Sequence, residues 1–431
     1  MLTRRAFLEA SSLALAGSTV PTADSSGALQ QQGTRDLPPS IAALTPMRDG
    51  VEPISTHERR QRLERARHLM VDTKLDALML CGGTSLAYFT NVQWGLSERL
   101  FAVVVPVRGT PFVVTPAFEE GRTREQLASG PLGPDGVDVM TWQEDESPYA
   151  LVAAGLKARN IASGRIGMEE TVRFVFADGV AHAAPALDVV SGTPVTAGCR
   201  GRKDAHELAL MRHASHVTLR AYEAAWRALE EGMTQDRFAE LVAAAHARLG
   251  FRGGAGVQTG TYSALPHGSV EPQVVREGTI LLIDGGCTVE GYRSDLSRTF
   301  MLGTPTPKMQ RVFDIVHRAQ TAAREAARPG VECQAVDAAA RRVIDEAGFG
   351  PDYAHFSHRV GHGIGMDGHE WPYLVRGNTL ALAPGMTFSD EPGIYLEGEF
   401  GVRLEDDMVI TESGAELLTP QSPSLTSPFD S

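Results

Sequence analysis

Apolar residues recur at helical spacing through THERRQRLERARHLMVDTKLD, residues 56–76, with a threonine at its start as the cap. Three short, nearly continuous apolar runs follow: ALMLCG (77–82), FAVVVPV (101–107) and TPFVVTP (110–116). Glycine and proline separate them, so they read as strands. Alternation continues to about Val195, and residues 55–200 predict an α/β domain. Past residue 200 the pattern changes. A long helical run occupies 201–232, capped near Lys203–Asp204, and a second occupies 234–251. The hairpin TILLIDGGCTVEGYRSDLSRTF, 279–300, comes next. The order then recurs, with helices predicted in 306–330 and 331–350 and a strand-rich stretch ending in GMTFSDEPGIYLEGEFGVRLEDDMVIT, 385–411. Two helices followed by an acid-bearing strand pair thus occur twice, a repeat of pattern and not of letters. Two such halves packed about a pseudo-twofold axis bring their strand pairs together at the centre. Residues 201–420 therefore predict an α+β domain, and 421–431 a tail.

The ends read differently. TRRAFLEASSLALAGSTVPTADS, 3–25, has paired Arg4 and Arg5, then Phe7–Leu8 and a weakly apolar run, with Glu9 in place of a basic residue. This predicts a twin-arginine export signal over 1–30 and an extracytoplasmic destination. Residues 31–54 read as a solvated linker. No stretch reaches the length of a membrane span. The formal net charge of -13 argues against nucleic acid and anionic membrane as partners, though not against cations. Four scattered cysteines, Cys81, Cys199, Cys287 and Cys333, lack any metal-ligand spacing and read as buried thiols.

The candidate chemistry lies in the acids. Leu281, Leu282 and Ile283 lead straight into Asp284, and Asp295 follows on the neighbouring strand. Two facing carboxylates in an apolar setting cost several kcal/mol unless a cation cancels them. The second strand pair carries Glu391 and Glu405, and HRVGHGIGMDGHEWP (358–372), dense in histidine and glycine, supplies His362. Four carboxylates and one imidazole match two divalent cations. Oxygen-rich ligation favours manganese, iron or cobalt over copper, with zinc as an alternative. A closely spaced cation pair lowers the pKa of a shared water and suits hydrolysis of an amide, ester or phosphoester. Glu391 is the candidate base. His267 and His369, both in glycine-flanked loops, are candidates to stabilise the developing oxyanion. Asp390 stands beside Glu391 and is expected to shift its pKa, and Trp94, Glu98 and Arg99 are weaker candidates to face a neighbouring site. His355 and His358 read as structural. GIGMDG, 363–368, matches a dinucleotide-loop spacing but lacks the strand–helix context, and HEWPY is not the HExxH zinc motif.

ALPHG, LLIDGG, GYRSDLSRTF, GHGIG, GHEWP, SDEPGIY and GVRLEDD stand in the order seen in the creatinase/aminopeptidase P/prolidase superfamily. The chain resembles that superfamily from about 55 to 420. The resemblance implies a creatinase-type N-terminal domain and a pita-bread catalytic domain. It implies Asp284, Asp295, His362, Glu391 and Glu405 as ligands of two divalent ions, manganese foremost, with His267 and His369 touching substrate. Arg403 is similar to the arginine that meets the substrate carboxylate in dipeptide-cleaving members, although a salt bridge to Asp406 or Asp407 is its plain alternative. Gly368 stands where many members carry valine, which is expected to widen the proline pocket. The implied activity is hydrolysis of the bond before proline in dipeptides or short peptides, by a homodimer or homotetramer. A non-peptidase hydrolase on the same fold and a peptidase-like binding module are the competing readings.

Overall fold

The computed structural model describes residues 37–133 and 136–429. The expected export signal lies outside the described residues.

The first domain is built on a six-stranded mixed sheet. Its strands are β1 (Ala77–Cys81), β2 (Ala102–Pro106), β3 (Phe112–Pro116), β4 (Asp138–Trp142), β5 (Gly164–Met168) and β6 (Leu187–Ser191), in the order β4-β3-β2-β1-β5-β6. The central runs are continuously apolar because helices cover both faces. Leu78 and Leu80 enter one core with Val103 and Val105, whereas Met79 and Cys81 enter the other with Ala102 and Val104. Helix α2 (Thr56–Thr73) starts one residue earlier than its expected cap would place it. Ser55 is the cap because Glu58, three residues on, completes a reciprocal capping box with it.

The second domain shows the repeated order. Helices α8 (Ala205–Trp226) and α9 (Gln235–Arg248) precede β7 (Arg252–Thr259), β8 (Ile280–Val289) and β10 (Leu296–Met301). Helices α10 (Pro307–Ala326) and α11 (Cys333–Ile344) precede β11 (Gly361–Gly363), β12 (Glu370–Leu374), β13 (Thr387–Asp390), β15 (Phe400–Arg403) and β16 (Asp406–Ile410). The first half's sheet runs β10-β8-β7 and the second half's begins β12-β11-β13-β16. Each half has its own apolar core. The halves are stitched where Glu405 N donates to Ser297 O (3.1 Å) and Thr299 Oγ1 to Arg403 O (2.7 Å). This is the two-halved arrangement that the repeat anticipates, and it fits the pita-bread domain that the resemblance implies.

Two terminal expectations need correction. Residues 37–54 are not a solvated linker. A short helix, α1 (Pro39–Ala42), lies on α8 and α9, with Ile41, Leu44 and Ile54 buried in the first half's core. Ser40 Oγ donates to Ala224 O (2.8 Å) and Met47 N to Leu249 O (2.9 Å). Residues 421–429 are likewise packed. Leu425 is buried, its carbonyl accepts from Met301 N (3.0 Å), and Phe429 lies against Trp226 and Phe300. A few well-spaced apolar side chains outweigh the polar composition of both segments.

Candidate metal centre

Strand register gathers the acids. Strands β8 and β10 pair Asp284 with Ser297. Side chains alternate across a strand, so Asp295, two residues before Ser297, shares that face as a diagonal neighbour of Asp284. In the other half, β13 and β16 pair Asp390 with Asp406. One step beyond that pair, Glu391 and Glu405 oppose each other on the opposite face. The Ser297–Glu405 bridge then sets all four carboxylates around one centre. His362 enters from β11, which is squeezed between β12 and β13. Only glycines fit on either side of it: a Cβ at Gly361 would collide with the Ser389 carbonyl, and one at Gly363 would lie 2.6 Å from that of Glu370.

The five expected ligands come together. His362 Nε2 is 3.3 Å from Glu391 Oε1 and 3.9 Å from Asp295 Oδ2. Ligand atoms of His362, Glu391 and Glu405, and separately those of Asp284, Asp295 and Glu405, lie within 4.8 Å of one another. His362 Nδ1 is 3.1 Å from the Gly363 carbonyl. Donation to that carbonyl places the proton on Nδ1 and leaves Nε2 free to ligate. Burial first, then His369, holds the His362 imidazole at about 3, so it is neutral. The carboxyls shift the other way. Burial and the Asp284 charge push Asp295 well above its ordinary value, and burial and Asp295 do the same to Glu405. Glu391 is raised to about 7 by burial, an effect that Arg403 opposes and Asp284 reinforces. Among the described residues, the one arginine or lysine paired directly with the set is Arg403, whose Nη2 lies 2.7 Å from Asp284 Oδ2. Acids so gathered, with an unprotonated ring nitrogen among them, fit two divalent cations.

Supporting groups fix this set. Ser297 Oγ accepts from Arg403 Nε (2.9 Å) and lies 2.9 Å from Asp284 Oδ1 and 2.6 Å from Glu405 Oε2. Ser389 Oγ accepts from His362 N (3.1 Å) and donates to Glu391 Oε1 (3.2 Å). No feature of the sequence distinguishes these serines from others in strands.

A cavity of about 440 Å³ opens over the acids, and His267 and His369 both line it. The His369 ring stacks on that of His362 at 3.7 Å. Its loop is tied to the first domain by a buried ion network. Glu370 pairs with Arg200 of α7 (Thr193–Arg200) at 2.5 Å and with Lys203 at 3.1 Å, and it accepts from the amides of Met366 and Asp367. Burial would raise the Glu370 carboxyl, but Lys203 and Arg200 hold it at about 2.

Several placements differ from expectation. Arg403 is buried, pairs with Asp284 and not with Asp406 or Asp407, and also donates to Pro266 O and the Tyr395 hydroxyl. Its fork is engaged by protein groups in this arrangement, although Arg403 also lines the cavity. Asp406 is paired with Arg298 instead (2.6 Å). Asp390 shares the reverse face with Asp406, and both its oxygens lack hydrogen-bond partners. Strand alternation keeps it away from the donor set, so Asp284, across the centre, outweighs the adjacent residue in shifting Glu391. A Cβ at Gly368 would meet nothing within 4 Å, which leaves open space beside His369. Trp94 stacks on Phe101, and Glu98 and Arg99 pair with each other away from the cavity. His358, expected to be structural, lines the cavity with its Nε2 2.7 Å from the Tyr395 hydroxyl, and Arg359 lines it too. The only sequence signal for either was closeness to His362 in the histidine–glycine block. All four cysteines are buried free thiols.

Comparison with known proteins agrees with this geometry. The metallopeptidase family M24 profile matches residues 209–412, and that of the creatinase/prolidase N-terminal domain matches 62–201. The chain is 36% identical over 361 residues to the probable dipeptidase PepE of Mycobacterium tuberculosis, covering 82% of this chain and 92% of that one. It is 31% identical over 336 residues to the Xaa-Pro dipeptidase of Lactobacillus delbrueckii subsp. lactis, covering 76% and 88%. The crystal structure of dipeptidase PepE from Mycobacterium ulcerans superposes with a TM-score of 0.81 at 34% identity, covering 87% of this chain and 99% of that one.

Proposed function

Because the chain belongs to metallopeptidase family M24, we propose that it is a prolidase-type peptidase, hydrolysing the peptide bond before proline in Xaa-Pro dipeptides or short peptides. The observation that carries this reading is the convergence of Asp284, Asp295, His362, Glu391 and Glu405 beneath a cavity also lined by His267 and His369.

Asp284, Asp295, His362, Glu391 and Glu405 would hold two divalent ions, which when bound polarise the scissile carbonyl and acidify water. The remaining work falls to side chains. Glu391 takes a proton from the attacking water as its oxygen bonds to the carbonyl carbon. As the C–N bond breaks, the same carboxyl returns that proton to the proline nitrogen. That nitrogen carries no N–H before cleavage, so the site needs no acceptor for one. Burial first, then Arg359, keeps the His369 imidazole below its ordinary value and neutral. Arg359 can only donate, so its 3.2 Å contact makes His369 Nδ1 an acceptor and puts the ring proton on Nε2. An Nε2–H on a ring that lines the cavity is suited to stabilise the oxyanion.

The donor set supports manganese, cobalt or iron before zinc as the working metal. Metal-free protein is expected to release proline from Ala-Pro only after a divalent ion is restored, with the ion giving the highest rate named by that titration. No release with any of the four ions would overturn the reading. Paired Arg4 and Arg5 before an apolar run support export in the folded state. Retention in the cytoplasm of a reporter fused to residues 1–30, unaltered by Arg4→Lys and Arg5→Lys, would count against it.

A further inference from the structure

The His369 ring has few contacts of its own to fix it. The residue is exposed, and among the described residues its imidazole is held by stacking on His362 at 3.7 Å and by one hydrogen bond from Arg359 (3.2 Å). Where the ring sits therefore depends on the backbone of residues 365–370. That turn is clamped from the first domain. Arg200, at the end of α7, brings one nitrogen, Nη2, to two carboxylates, 2.6 Å from Asp367 Oδ2 and 2.5 Å from Glu370 Oε1. These acids stand on either side of Gly368 and His369 in the chain. Glu370 Oε1 also accepts from the amides of Met366 and Asp367, which closes the turn on itself. Asp367 Oδ1 accepts from Thr84 Oγ1 (2.5 Å) at the start of α3 (Thr84–Thr90). Arg200 is fixed in turn, because its Nη1 donates to Ser85 Oγ (3.1 Å) and that hydroxyl donates to Glu169 Oε2 (2.5 Å).

We propose that Arg200 is a positioning residue: by drawing Asp367 and Glu370 together it fixes the turn that carries His369, so that the first domain governs a step performed in the second. A displacement of about 1 Å at a reacting group costs about 100-fold in rate, and a buried guanidinium bridging both flanks of the turn opposes such a shift. Loss of Arg200 does not strand a buried charge. Glu370 keeps Lys203 at 3.1 Å, and the Asp367 side chain is 42% exposed and open to water. This inference deepens the prolidase reading and rests on it for the role of His369 as oxyanion donor.

A double-mutant cycle on the full metal-loaded protein tests it. Arg200→Met is expected to lower kcat on Ala-Pro by about 10- to 100-fold, with KM within about threefold of wild type. In a His369→Ala background the same change should cost less than about twofold, because the group it positions is gone. Equal losses in both backgrounds would overturn the proposal, as would no loss in the first. Calorimetric titration with manganese should give the same affinity with and without Arg200. A weakened affinity would place the effect on the metal ligands and overturn it too. Arg200→Lys, which keeps the charge without the guanidinium, should lie between, and it repeats the cycle if the methionine variant folds poorly. A readout without turnover separates this inference from the activity reading. In zinc-loaded protein, the imidazole nitrogen resonances that His369→Ala removes should shift or broaden in Arg200→Met, while those that His267→Ala removes stay in place. That result would sustain the positioning role even if the wild type failed to release proline. Normal wild-type turnover with unmoved His369 resonances would remove the positioning role alone.

Discussion

Replacing Glu391 by glutamine lowers kcat on Ala-Pro by about 1,000-fold or more and leaves the protein folded. General-base catalysis alone is worth about 100- to 10,000-fold, and this side chain is also a ligand donor. Its Oε1 is 3.3 Å from His362 Nε2 and accepts from Ser389 Oγ. Glutamine matches its shape and keeps an acceptor for Ser389, but it neither takes up the proton of water nor carries charge toward a cation. In metal-free protein, loss of the Glu391 charge relieves repulsion in a cluster of four acids, so there the melting temperature should not fall. Steady-state proline release together with thermal melts reads both effects. A variant within tenfold of wild type would remove Glu391 from the role of base.

The second large effect is that of metal removal. Dialysis against a chelator abolishes turnover and lowers the melting temperature by about 10 °C. A ligand at 1,000 times its Kd stabilises by about 4.1 kcal/mol, and each kcal/mol moves a domain of this size by about 2–4 °C. The metal-free protein also acquires a characteristic pH dependence. The Glu391 carboxyl, ordinarily near 4.5, titrates at about 7 in the fold, and Asp295 and Glu405 are raised as well. The folded state therefore binds more protons than the unfolded chain between these values. That contribution is complete below about 4.5 and is lost as the pH rises through 7. Metal-free protein should thus melt higher at pH 6 than at pH 8. The loaded protein should show the reverse tendency, because protons compete with cations for the same oxygens. Calorimetric scans at both pH values check this, and identical behaviour of the two forms would contradict it.

What the sequence reveals follows from the physics of each element. The first domain's strands are legible because two covered faces leave no polar position to interrupt the run. The ligand set is legible because buried acids are costly, and four such residues with a histidine in ordered blocks demand a common cause. Segment 37–54 is not, since its burial rests on Ile41, Leu44 and Ile54 among prolines and polar residues. Arg403 could be placed near the centre but not paired, because its partner Asp284 comes from the other half of the domain. Asp390 weighs less on Glu391 than its adjacency suggests, because neighbours in sequence point to opposite faces of a strand. Strand parity alone would have separated it from Glu391. His358 and Arg359 precede β11 in an irregular segment, where no periodicity tells which side chain turns inward.

The central claim is that side chains from both halves of the repeat enclose a pair of divalent cations. Anomalous diffraction from crystals of the protein loaded with manganese tests it most directly. The account predicts two peaks per chain in this cavity, among the carboxylate oxygens of Asp284, Asp295, Glu391 and Glu405 and the Nε2 of His362. Peaks elsewhere on the molecule, or none in this cavity at saturating metal, would contradict it.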